Sequence, residues 1–349
     1  MKNTLFLWFC RTLSRICMTT TVFFCLTGNV QAGYEKGPLH VRNQFPPHLM
    51  FLTPHPDSPG VVPEDRFKLS LSADYSSIFV NETSADWNTL IDMEMTVLDF
   101  LFEYGMTEYL TLSLDIPLIS MDGGFLDGFL EDYHDTFGFP NYGREERPKN
   151  EFAYSLTKNG QEWFSAESGG LRLADGSISA KLSLTDEETG LFQKNRFSST
   201  SVSLAYTLKI PAGDEDAGFG SGGFDHGFSV LSQFRFPSFA LYLNPSVFFL
   251  SDPETSGPDI SVNTIFGMFA GGEYALSDSW TLAAQLNYYT SPFENTGISQ
   301  LDDDSLELAL GFICELTPAV SLEFAFCEDL THSAPDFNIH VRVVCEIGN

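Results

Sequence analysis

Basic residues are scarce in this sequence: 18 Lys and Arg stand against 47 Asp and Glu, a formal charge of −29. That balance excludes nucleic acid as a partner, since phosphate contacts need a surplus of cations, and it excludes a basic patch for an anionic membrane surface. Cysteine is scarce too. Of six, Cys10, Cys17 and Cys25 fall within the first 32 residues, leaving Cys314, Cys327 and Cys345, an odd number that cannot all pair internally. A hairpin turning at Thr317 and Pro318 sets Cys314 opposite a residue near Leu322, and the next sets Cys327 near Phe337. Neither register makes a disulfide, so small apolar cysteines are expected. No long hydrophobic run is present: Ile16 to Leu26 is broken by Thr19, Thr20 and Thr21 and falls short of the ~18 residues a retained membrane helix needs. The histidines, at 40, 48, 55, 134, 226, 332 and 340, show no metal-ligand spacing.

What the sequence does carry begins with a leader. Lys2, Arg11 and Arg15 precede the short apolar run, and Val30-Gln31-Ala32 supplies a small-residue cleavage site before Gly33. Residues 1–32 therefore read as the secretory signal peptide of an exported chain. Its removal takes three basic and no acidic residues, moving the formal charge to −32. Residues 33–65 form an N-terminal arm with seven prolines between Pro38 and Pro63, too many for a central strand or a long helix.

From Arg66 onward apolar and polar residues alternate with period two, as in strands with one greasy and one hydrophilic face. Leu110, Leu112, Leu114, Ile116 and Leu118 alternate with Thr111, Ser113 and Asp115, and Phe67, Leu69, Leu71 and Ala73 with Lys68, Ser70, Ser72 and Asp74. The pattern continues to Phe337, Ile339, Val341 and Val343. Leu90 to Tyr104 changes phase near Val97 and Leu98, which predicts a β-bulge. Connections alternate in length. "GMTEYLTL", "ALSDSWTL" and "ELTPAVSL" hold tight turns, whereas 121–150, 211–225, 251–261, 291–304 and 328–336 are long and rich in Gly, Asp and Pro. Short periplasmic turns alternating with long external loops belong to membrane barrels.

The fold expected is all-β: a single 12-stranded antiparallel transmembrane β-barrel over residues 66–349, with a short helix in one long extracellular excursion at 121–175. That excursion also holds a hairpin, "YSLTKNGQEWF", turning at Asn159-Gly160. A soluble sandwich alternates in the same way, with its apolar rows in a shared core. Secretion, the loop alternation, mixed-charge inner rows and the aromatics Tyr104, Tyr109, Tyr274 and Trp280 beside the short turns favour the barrel.

By phase, the inner rows hold Asp74, Asp92, Glu94, Asp115, Glu273, Glu307, Glu315 and Glu323, with Lys68, Lys181, Lys209, Arg235 and Arg342. They are expected to line the lumen, either as a hydrated interior that satisfies its own charges or as the wall of a cation-favouring pore. Phe125, Phe129, Tyr133 and Phe137 recur every four residues and mark an amphipathic helix. On the outer leaflet its acidic face would meet anionic lipopolysaccharide, so folding over the barrel mouth as a constriction is the preferred reading. Arg42, Asn43 and Gln44 belong to an arm that either plugs the lumen or hangs as a periplasmic tail. The triplets Asp214-Glu215-Asp216 and Asp302-Asp303-Asp304 lack the spacing of an EF-hand loop and are read as solvated loop acids.

Four stretches, "GPLHVRNQFPPHLMFL" (37–52), "GGFLDGFLEDYHDTFGFPNYGREERPKN" (123–150), "LKIPAGDEDAGFGSGGFD" (208–225) and "FAFCEDLTHSAPDFNIHV" (324–341), together resemble a family of Gram-negative outer-membrane barrels designated domain of unknown function 3187. They are also similar to the phenol-degradation barrels of aromatic meta-pathway operons. The resemblance implies the outer membrane of a Gram-negative bacterium, lipid and lipopolysaccharide around the wall, and insertion by the barrel assembly machinery. It brings no activity. Barrels of this kind usually finish on an aromatic residue, whereas this chain ends Cys345-Glu346-Ile347-Gly348-Asn349. The functional expectation is non-enzymatic and without a cofactor: a channel or transporter passing an unidentified small-molecule solute through a gated or partly plugged lumen. Two alternatives stand. One is an outer-membrane hydrolase using a Ser and His pair, with His226 and His340 near strands but no partner fixed by spacing; the other is a structural barrel with a sealed lumen.

Overall fold

The computed structural model describes residues 36–138, 143–185, 199–236 and 238–348; the leader and most of the turn between Thr185 and Ser198 lie outside them. Among the described residues twelve strands close into one antiparallel ring. The first strand, β1 (Phe67–Thr83), pairs on one side with β2 (Trp87–Thr107) and on the other with the last, β15 (Phe337–Ile347), which seals the cylinder with Phe67 opposite Ile347 and Ser77 opposite Phe337. From β2 the ring continues through β3 (Leu110–Asp122), β7 (Gly176–Ser183), β8 (Ser199–Ile210), β9 (His226–Arg235) and β10 (Phe239–Phe249). It is completed by β11 (Ile265–Ala275), β12 (Trp280–Tyr289), β13 (Ser305–Thr317) and β14 (Val320–Asp329).

Two additions raise the wall above β2 and β3. The hairpin of β4 (Ala153–Lys158) and β5 (Gln161–Ser165) lays β4 along Trp87 to Asp92. Its turn residues Asn159 and Gly160 have φ of 53° and 73°, the left-handed pair that a two-residue hairpin requires. The short β6 (Gly169–Leu173) replaces β7 as the neighbour of β3 above Asp115. Pro117, which has no N–H for a ladder, stands at that handover, and its carbonyl accepts the Ala174 N–H. Among the described residues there are three α-helices: α1 (Pro46–Leu49), α2 (Asp127–Phe137) and α3 (Ser299–Asp302). Cys314 opposes Leu322, Cys327 opposes Asn338, and none of the three cysteines forms a disulfide.

The greasy rows point outward. Leu114, Leu182, Leu241, Leu282 and Leu310 are 41–48% exposed, and so are not packed into the shared core that a sandwich requires. A continuous exposed apolar belt on a closed barrel is the surface that hydrocarbon accepts and water does not. No described helix is long and apolar enough to cross a membrane; the strands do so. Tyr109 and Trp280 are exposed beside the short turns, where an interfacial aromatic belongs.

The bulge expected in β2 is absent. β1 and β2 pair residue for residue from Phe67 opposite Tyr104 to Thr83 opposite Asn88, so the phase change near Val97 belongs to hydropathy and not to the backbone. Towards the short turns the outward row of β2 is Leu98, Phe100 and Phe102, and the inward row includes Asp99 and Glu103, both buried. Towards the long loops the inward row becomes Ile91, Met93 and Met95, and the outward row Asp92 and Glu94. β1 and β3 invert at the same height: inward Ser76 gives way to Ile78 and Val80, and inward Asp115 to Ile119 and Met121. Side chains keep alternating faces; it is the two media that change places.

Candidate functional site

The lumen is occupied by the arm. From Lys36, near Glu273 and Glu315 at the short-turn end, it climbs past Gln285 of β12 and Ser305 of β13 to α1 under the long loops. It then descends past Asp225, Asn244, Lys181, Ser203 and Thr111 to enter β1. Its prolines explain this course, because a segment poor in N–H groups stays extended without demanding a sheet partner. Pro46 and Pro47 then open α1, where a missing N–H costs nothing.

Inward side chains hold the ascending leg one contact at a time. Gln285 accepts the Leu39 N–H at 3.0 Å and donates to the Leu39 carbonyl at 2.9 Å. Glu323 accepts the His40 N–H, Arg42 pairs with Asp99 at 3.3 Å, and Asn43 donates to Ser305 Oγ at 2.8 Å. Lys36 Nζ pairs with Glu315. The two legs meet where the His40 and His55 rings stack, 3.7 Å between centroids. At the top, His48 Nδ1 lies 2.8 Å from the Tyr289 hydroxyl. There Phe45, Leu49, Met50 and Phe51 fill a core walled by Ile91, Met93, Met95, Trp163 and Phe293, which is why the inward rows turn apolar at that level.

Below that core the interior is ionic. Lys68 pairs with Glu103 at 3.0 Å, and Lys181 with Asp57 of the descending leg at 2.7 Å. His340 sits between Asp74, 3.0 Å from Nδ1, and Glu323, 3.2 Å from Nε2. Arg342 reaches Glu323 at 3.6 Å and donates to Ser70 Oγ at 3.0 Å. Lys209 is a junction: its ammonium lies 2.9 Å from Asp175 and 3.1 Å from Asp225 and donates to the Met50 carbonyl at 2.7 Å. Asp175 also accepts N–H bonds from Ala212, Gly213 and Ser221, and Asp225 those of Leu52 and Ser251. Lys209 of β8 thus joins the arm to the connection before β7 and the long loop after β8.

Of the residues expected to line the lumen, Lys68, Asp74, Asp115, Lys181, Lys209, Glu273, Glu307, Glu323 and Arg342 face inward. Glu273 accepts from Tyr242 at 2.9 Å, and Arg235 ends β9 exposed at the short-turn rim. Asp92 and Glu94 do not face the lumen. They lie on the outer surface of the raised wall, where Asp92 pairs with Arg147 at 2.7 Å and Glu94 accepts from Tyr75 and from the Phe125 and Leu126 N–H groups. Assigning them inward followed from the bulge that the backbone lacks. Gly124 permits this contact: its φ is +59° and a Cβ there would fall 1.8 Å from the Glu94 carboxyl carbon.

The helix reading is corrected as well. α2 does not cover the mouth; it leans on the outside of the wall, with Phe125 stacked on Tyr75 and Phe129 against Phe337. Phe125 and Phe129 remain more than half exposed, and Tyr133 stacks on Phe129 at 6.2 Å; the Phe137 side chain lies outside what the structure describes. Arg144 clamps the segment, pairing with Asp127 at 2.7 Å and with Asp336, and lying over the Phe79 ring. Burial opposes the charge on Arg144, but the two carboxylates outweigh it and raise the guanidinium above its ordinary value. The loop acids have partners within the protein: Asp302 accepts from Thr296 and Gly297 of its own loop, and Asp214 pairs with Arg172 of β6.

Sequence reasoning missed Asp99, Glu103, Gln285, Asp175 and Asp225. The first three sit in legible inner rows, and the last two lie in connections that give no phase to read. Neither histidine offered for a hydrolase stands beside a serine poised for attack: both His340 nitrogens face carboxylates, and His226 Nδ1 lies 2.8 Å from the Tyr206 hydroxyl on the outer face.

Among curated protein sequences none matches this chain. Solved structures of similar shape include the COG4313 outer membrane channel from Pseudomonas putida F1, with a TM-score of 0.53 and 14% identity over 82% of this chain and 97% of that one. The NanC porin gives a TM-score of 0.41 and 10% identity over 80% of this chain and 100% of that one. The first likeness shows the shared barrel fold. A family profile covers residues 13–344, almost the whole sequence. The chain belongs to that family, described as Protein of unknown function (DUF3187).

Proposed function

We propose that this protein is a non-enzymatic outer-membrane channel for small solutes, with its short turns in the periplasm and its resting lumen closed by its own arm. The observation that carries the reading is the arm itself. It fills a charged lumen yet forms no strand with the wall, and isolated side-chain contacts hold its ascending leg. A barrel built only as a scaffold has no need for a charged lining under its filling. Withdrawal of the arm takes Lys36 and Arg42 from Glu315 and Asp99 and leaves an acidic surplus, which favours cations. The solved barrel of similar fold is described as a channel, which agrees with this reading.

Liposome swelling tests it. Vesicles holding the intact chain should swell slowly in sugars and amino acids. Those holding a chain without residues 37–52, its refolding checked by circular dichroism, should swell several-fold faster. Equal and negligible swelling in both would return the sealed scaffold as the better account.

A further inference from the structure

We propose that the lumen face beneath the arm's ascending leg is a binding site for an extended cationic peptide, and that the arm sits there as the molecule's own competitor. The proposal rests on the arm being a displaceable plug. On β12 the inward Gln285 and Asn287 stand two residues apart, and the arm rises beside them with Leu39 at Gln285 and Val41 next to Asn287. Both chains are extended, so both repeat every two residues, about 6.7 Å. Gln285 reads main chain: it accepts the N–H and donates to the carbonyl of residue 39, a pairing indifferent to the side chain there. Glu323 takes the next N–H, and Glu273 the N–H of Lys36. Cation pockets stand at the two ends, Glu315 for Lys36 and Asp99 for Arg42.

Asn287 supplies an independent observation. It is 4% exposed, neither its Oδ1 nor its Nδ2 has a hydrogen-bond partner, and it borders a void about the size of one water beside Val41, Arg42 and Glu307. It stands where it would read residue 41 as Gln285 reads residue 39, and the arm gives it no hydrogen bond of its own. The arm is therefore an imperfect occupant. A peptide that also engaged Asn287 would gain what the arm forgoes, whereas a polyamine offers the cations without the amides.

The test uses the full-length chain in planar bilayers. Arg42→Ala and, separately, Leu39→Pro, which removes the N–H that Gln285 accepts, should each raise the current by loosening the arm. A capped peptide of one Lys, five Ala and one Arg keeps the spacing of Lys36 and Arg42 and none of the other arm side chains. Added on the short-turn side, it should block that current. N-methylation of its fourth residue should weaken the block on the order of ten-fold, as loss of a buried hydrogen bond predicts, and spermine should block about ten-fold less well. Gln285→Ala in the Arg42→Ala background should erase the difference between methylated and unmethylated peptide. An absent block, equal block by spermine, or block indifferent to both methylation and Gln285→Ala overturns the peptide site while the plug stands. No rise in current from either variant overturns the plug, and this proposal with it.

Discussion

Lys209 shows what a single residue contributes. Its ammonium is buried between Asp175 and Asp225, and such a group is tolerable only because both carboxylates and the Met50 carbonyl satisfy it. Lys209→Met keeps most of the volume and removes the charge, leaving two buried carboxylates facing each other. The expected cost is about 3–5 kcal/mol, read as a lowered unfolding temperature in detergent, together with faster proteolysis of the arm near Met50. An unchanged unfolding temperature would show that the backbone N–H groups on Asp175 and Asp225 suffice alone. The alternation of "SLAYTLKI" (203–210) places Lys209 inside, but both its partners lie in connections where no periodicity operates, so the lysine was legible and its purpose was not.

At the scale of elements, β2 and α2 explain each other. A 21-residue strand far exceeds the 9–11 residues that cross a bilayer, and its upper third stands outside the hydrocarbon with Asp92 and Glu94 pointing away from the barrel. Those carboxylates receive Arg147 and the N–H groups that lead into α2, fixing the helix to the outer wall with Phe125 and Phe129 exposed. Exposed aromatics on the outer wall suit the level where an apolar belt gives way to headgroups, and the expectation is that α2 rests there. A tryptophan replacing Phe129 should therefore be quenched strongly by brominated lipids, and little by an aqueous quencher; the reverse pattern would place the helix over the mouth. The twelve ring strands could be read from alternation because each touches one apolar and one polar medium. The same rule misled at Asp92 and Glu94, where inside and outside exchange character while the backbone continues unchanged, and a hydropathy pattern cannot separate that exchange from a bulge.

For the whole molecule, the barrel is two compartments stacked along one axis. Near the short turns, an apolar outer belt surrounds a charged lumen; near the long loops, the inward side chains close an apolar core completed by Phe45, Leu49, Met50 and Phe51, and along β2 the outward row becomes Asp92 and Glu94. The arm matches both, with Lys36 and Arg42 in the lower compartment and its aromatic segment in the upper. That match was only half visible in the sequence, because the prolines of residues 33–65 exclude strand and helix but say nothing of where an irregular chain goes. Its position depends on contacts such as Leu39 with Gln285 and Val62 with Thr111, which join residues far apart in sequence.

The arm's place in the lumen makes the most direct demand on experiment. Single-channel conductance and reversal potential in a salt gradient should be measured for the intact chain and for the chain lacking residues 37–52. The structure predicts a closed or barely conducting intact barrel, and a shortened one that opens several-fold wider and prefers cations. Conductance that is identical in the two, with no charge preference, would contradict it.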